Sequence, residues 1–241
     1  MNETGEGHTV KAYEGALSGL RQRAHEMGTL VAEQVETAVR ALLDADREAA
    51  ESVLKHERQI NAWQTEIEAE SFRLLARQAP VASDVRTVLA ISRAVTDLER
   101  AGDESKKIAR FALASAGQGA AGPSRVMHPP LRHMAELASE SMRVAVGALD
   151  RGDAGVAHEV ARLDRELDHE YEAALRQLMT VAMERSRMLK PVFDTLFALK
   201  SLERIGDHAK NVAEHVVFLV SGTDVRHARS ERAAGATETQ H

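Results

Sequence analysis

Two stretches of this chain, LERAGD at residues 98–103 and LERIGD at 202–207, are nearly the same six letters written 104 positions apart. On a helix, positions i and i+4 share one face, with Cβ atoms roughly 5–6 Å apart. Glu99 therefore points the same way as Asp103, and Glu203 the same way as Asp207. Carboxylates crowded together repel one another, so either some hold protons or a cation neutralises them. Oxygen-only clusters suit hard ions such as Mg2+, Mn2+ or Ca2+, and iron and zinc also accept carboxylate sites in helical bundles.

Further oxygen ligands lie at matching spacings. Asp164 and Asp168 repeat the i, i+4 pattern, and Asn211 stands four residues beyond Asp207. The first half answers with Glu57 and Asn61, and with Lys107 where the second half has Asn211. The expected metal ligands are thus Glu99, Asp103, Glu203 and Asp207, joined by Asp164, Asp168 and Asn211. A lysine beside a cluster replaces part of a cation's charge, so the N-terminal site is expected to hold fewer ions, or none. A lone E-x-x-x-D is an ordinary solvated helix face, and Arg100 and Arg204 sit close enough to neutralise it. What lifts this one out of the ordinary is its repetition with a shared glycine. Gly102 and Gly206 cost about 1 kcal/mol each against alanine in mid-helix, which implies that a neighbouring helix comes close at both.

Other chemistry finds little footing. No glycine-rich phosphate loop, nucleophile elbow or Ser/His/Asp set is present, so neither ATP hydrolysis nor acyl transfer is expected, and the chain reads as a non-enzyme. Glu166 and His169 form an E-x-x-H, the element that diiron bundles use twice, but it occurs once in the helices and His169 has no counterpart in the first half. His208 follows Asp207 directly and points about 100° away from it, while His215 reads as a helix-face residue. Asp84-Val85-Arg86, at a helix start, is the one faint hint of an anion pocket.

Composition bounds the remainder. The chain has 241 residues, 44% of them hydrophobic and only 3% aromatic, so its core must be built from Ala, Leu, Val and Ile in packed helices. Its net charge of −6 argues against nucleic acid as a partner. The absence of cysteine excludes a disulfide scaffold and fits a reducing compartment. The polar N-terminus lacks a signal-peptide core, and no apolar run approaches the ~18 residues of a membrane span. A soluble cytoplasmic location is expected.

The elements that must position the acids follow from apolar periodicity. Leu17, Leu20, Ala24, Met27, Val31, Val35, Ala38 and Leu42 mark one amphipathic helix. A second runs from about 47 to 78 and a third from about 84 to 116, with Ser83 as its cap. After the glycine-rich GQGAAGPSR come helices around 131–149, 156–184 and 189–220. The reading is all-α: two tandem antiparallel three-helix bundles, an internal repeat. Its parts are a flexible N-terminus at 1–11, a first repeat at 12–116, a hinge at 117–126, a second repeat at 127–222 and a disordered tail at 223–241.

At this point the sequence resembles the PhoU family, the phosphate-signalling accessory proteins of bacterial phosphate uptake. The marks are RQAPVASDVRTVLAISRAVTDLERAGDESKKIA in the first half, LDRELDHEYEAALRQLM in the middle and SLERIGDHAKNVAEHVVFLVSGTDVRH near the end. The resemblance implies two three-helix bundles, a homodimer, and negative regulation of the phosphate-starvation response. It implies as partners the ATPase subunit of a phosphate ABC transporter and the sensor histidine kinase of a phosphate two-component system, so that the protein meets membrane complexes only peripherally. It also implies that the E/D-x-x-x-D motif binds multinuclear iron or zinc clusters, as in some members. Two other readings compete: an accessory subunit of a low-affinity phosphate permease, and a carboxylate-bridged metal-binding or oxidase bundle.

Overall fold

The structure, a computed structural model, describes residues 3–77, 82–117, 122–184 and 189–223, with backbone alone for 3–12. Six α-helices run through them: α1 Glu3–Asp44, α2 Arg47–Arg77, α3 Ala82–Gly117, α4 His128–Arg151, α5 Ala157–Glu184 and α6 Leu189–Ser221. Short 3-10 turns at Arg125–Met127 and Ala154–Val156 lead into α4 and α5. No strand occurs among the described residues.

The first helix is longer than its apolar stripe. It begins at Glu3, so residues 3–11, expected to be flexible, are helical. Once a helix is nucleated, each added residue gains a backbone hydrogen bond, which carries it past the last apolar contact. Ala45, at φ 53°, turns the chain, and Asp46 restarts it by accepting from the Ala49 amide at 3.0 Å. Ser83 falls inside the first turn of α3 rather than ahead of it. Gly152, in the left-handed conformation at φ 65°, closes α4. Of the expected hinge, Gly117 ends α3 and 125–126 lie in the first 3-10 turn, while 118–121 lie outside the described residues. So does the expected tail beyond 223.

Helices α1–α3 pack as one bundle and α4–α6 as another, and the two are joined along α1 with α4 and α3 with α6. One continuous core of Ala, Val, Leu, Ile and Met runs through both bundles. The outer helices α2 and α5 each lie against the third helix of their own repeat. Along α3, contacts at 93, 97, 104 and 111 meet α6 at 218, 208, 201 and 197, so these helices cross antiparallel. At the other join, Gly28 of α1 admits Val146 of α4, whose Cγ2 lies 2.2 Å from where a Cβ would stand. Glu36 then accepts from Ser139 at 2.8 Å and Arg143 at 2.7 Å.

Candidate functional site

The motif glycines are where the outer helices come in. A Cβ on Gly206 would lie 2.4 Å from Leu167 Cδ2, and one on Gly102 would lie 3.4 Å from Ile60 Cδ1. Leu167 and Ile60 occupy corresponding turns of α5 and α2. This approach brings the acids of the outer helix beside those of the third.

In the N-terminal repeat, Glu57 is only 4% exposed. It accepts from Asn61 at 2.8 Å and from Lys106 Nζ at 2.6 Å, and the same ammonium lies 2.9 Å from Asp103. Glu99 stands alongside: burial first, then the charges of Asp103 and Glu57, push its carboxyl up from the ordinary value. Burial works against the Lys106 ammonium, but its hydrogen bonds to Glu57 and Asp103 outweigh this and raise its pKa.

The C-terminal repeat repeats the plan. Asp164, 5% exposed, is bonded by Lys210 Nζ. Glu203 pairs with Lys200 at 2.7 Å. Partial desolvation, then the charges of Glu203 and Asp164, push Asp207 up, and desolvation with Asp164 does the same to Asp168. The pairs expected from spacing, Glu99 with Asp103, Glu203 with Asp207 and Asp164 with Asp168, are thus brought together as acid clusters, one per repeat.

Two positions differ from expectation. Asn211 does not extend the second cluster: its Nδ2 donates to Asp97 on α3, 3.1 Å away. Nor is Lys107 the lysine of the first cluster, since it reaches Glu104 at 2.8 Å. The step from one residue to the next turns a helix by about 100°, so Lys106 faces the acids and Lys107 faces α6. With an ammonium lying between the carboxylates, no three His, Asp or Glu side chains among the described residues are placed to hold a metal ion.

The α3–α6 seam holds polar groups that sequence reasoning missed. Buried Asp97 accepts from His208 Nδ1 at 3.0 Å and His215 Nε2 at 3.0 Å, as well as from Asn211. Burial opposes its charge, but these three donors outweigh burial and hold its carboxyl well below the usual range. Two turns along, the repeat-related pair inverts the polarity. Buried Glu104 accepts from Ser201 of α6 at 3.0 Å and meets Arg204 at 3.2 Å. The sequence carries a trace of it: His208, Asn211 and His215 fall at i, i+3 and i+7, on one side of α6. Beyond Glu104 the seam ends in stacked Phe111 and Phe197, with ring centroids 6.0 Å apart. Glu166 pairs with Arg162 at the surface, and His169 is exposed.

Two three-helix repeats, related in sequence and joined along their first and third helices, with an acid cluster at the same register of each, define a duplicated helical-bundle protein. The chain belongs to the PhoU family: the PhoU domain matches residues 24–112 and again 131–216. It is 43% identical over 220 residues to the phosphate-specific transport system accessory protein PhoU homolog of Pseudomonas aeruginosa, covering 91% of this chain and 90% of that one. It is 34% identical over 224 residues to the accessory protein PhoU of Escherichia coli, covering 91% and 90%. The crystal structure of PhoU from P. aeruginosa superposes with a TM-score of 0.82 at 42% identity, over 88% of this chain and 100% of that one. That of the phosphate transport system regulatory protein PhoU from Streptococcus pneumoniae gives 0.77 at 28% identity, over 88% and 98%.

Proposed function

We propose that this protein is a non-enzymatic regulator of phosphate homeostasis that restrains phosphate uptake and the phosphate-starvation response. It does so by relaying the state of a phosphate ABC transporter, through the ATPase subunit, to a sensor histidine kinase. One observation carries this reading: the likeness to proteins named as accessory to phosphate-specific transport spans nine-tenths of both chains, at 43% identity for the P. aeruginosa relative.

A relay needs surface on which to meet other proteins. Leu189, Phe193 and Phe197 form an i, i+4, i+8 stripe on α6, each more than half exposed, and Met179 and Met183 lie exposed on α5. Exposed apolar patches of this kind mark interaction sites on soluble proteins, and no described helix is long and apolar enough to cross a membrane. The protein acts from the cytoplasm as a homodimer, touching membrane complexes from one side. Its partners test this directly. Affinity capture from cells should retain the phosphate transporter ATPase and the sensor kinase, and Phe193→Ser with Phe197→Ser should reduce that retention at least tenfold. Recovery of neither partner with wild-type protein would contradict the reading.

A further inference from the structure

Lys106 and Lys210 stand three residues beyond the motif aspartates, 104 positions apart like the motif itself. Each reaches across from the third helix of its repeat to a buried carboxylate of the outer helix, Glu57 or Asp164. The number of lysines also follows the number of acids. The first cluster has three carboxylates, Glu57, Glu99 and Asp103, with Asn61 in the fourth place, and one ammonium makes ion pairs in it. The second has four, Asp164, Asp168, Glu203 and Asp207, and a second ammonium, Lys200, pairs with Glu203 at 2.7 Å. At the position that corresponds to Lys200 the first repeat has Thr96.

We infer that Lys106 and Lys210 are the resident cations of the two acid clusters, so that a hard divalent ion and the lysine ammonium compete for the same oxygens. A side chain tethered within reach is present at high effective concentration. A metal ion must break the 2.6 and 2.9 Å contacts of Lys106 before it can gather Glu57 and Asp103. It must also meet carboxylate oxygens without a fixed positive charge among them, because like charges at close quarters raise each other's energy. The clusters therefore fasten α2 to α3 and α5 to α6 without a metal, and removing the ammonium converts each into an open set of oxygen ligands. This inference stands on side-chain geometry and is independent of the regulatory reading.

The test is calorimetric titration of MnCl2, at fixed pH and ionic strength, into the full-length wild type, Lys210→Met and Lys106→Met. Each methionine variant should bind Mn2+ at least tenfold more tightly than the wild type. Lys210→Met should lose that gain when Asp168→Asn and Asp207→Asn are added. Mn2+ should also raise the melting temperature of the methionine variants more than that of the wild type, since a ligand that binds only the folded state stabilises it. Two separate repeats supply two variants, so one that fails to melt cooperatively leaves the other to decide. Wild-type affinity equal to or tighter than that of a folded methionine variant would overturn the inference.

Discussion

Asp97 is a single carboxylate from one repeat held by three side chains of the other. Because its donors His208, Asn211 and His215 all lie on α6, removing it leaves buried polar groups unpaired across the seam. Such losses cost about 3 kcal/mol, and for a chain of this size that lowers the melting temperature by roughly 6–12 °C. Thermal unfolding of Asp97→Ala checks this, and a change under about 2 °C would speak against a structural role. The pH dependence has a definite sign. Asp97 is held below its ordinary value of 3.8, so its contribution is complete above that value and is lost as pH falls through the lower folded value. The stability that Asp97's own charge supplies should therefore be lost only in strong acid, where thermal unfolding of wild type and Asp97→Ala should converge. Glu99, Asp168 and Asp207 go the other way: their raised values favour the protonated form, so their ionisation weakens the fold as pH rises through the folded values. Asp207→Asn should raise the melting temperature near pH 7, by about 1–2 °C after solvent screening of a largely exposed group. A lower melting temperature in that variant would mean that Asp207 is a net stabilising partner.

Among the elements, the outer helices decide how closely each repeat closes. Alanine in place of a mid-helix glycine gains up to about 1 kcal/mol of propensity. At Gly102 the nearest atom leaves ordinary contact distance, whereas at Gly206 the core side chain of Leu167 must move. Gly102→Ala should therefore match or exceed wild-type stability in urea. Gly206→Ala should lose about 1–3 kcal/mol, as overpacked cores do. Equal behaviour of the two would deny the asymmetry. The sequence shows the reason for both glycines, close helix approach, through their common offset. It does not show which approach is tighter, because that depends on how Ile60 and Leu167 settle in the core. Helix ends near Arg47, Glu184 and Leu189 were legible from periodicity, since apolar stripes stop where packing stops. The extension of α1 to Glu3 was not, because propagation needs no apolar contact. In the site, the paired acids were legible because i, i+4 neighbours must share a face. Lys106 and Lys210 were readable in the same way, at i+3 from the motif aspartates. Asn211 was misplaced because its stripe belongs with His208 and His215, and that face can be assigned only once α3 is known to lie against α6.

As a whole molecule, the protein is two copies of one design joined by a seam that keeps an apolar core but sets polar pairs of opposite arrangement at related positions. Asp97 of α3 meets His208 of α6, and Glu104 of α3 meets Ser201 of α6. A joint of this kind fixes the register of the repeats, while the acid clusters fasten each outer helix and the exposed stripe on α6 offers a place for partners. Regulation of phosphate uptake joins these features into one account, and it is tested most directly in cells. A strain lacking this chain, grown in excess phosphate and carrying a reporter for a phosphate-starvation gene, should switch the reporter on. Restoring the wild-type chain should switch it off again. A reporter that stays silent in the deletion strain would contradict the account.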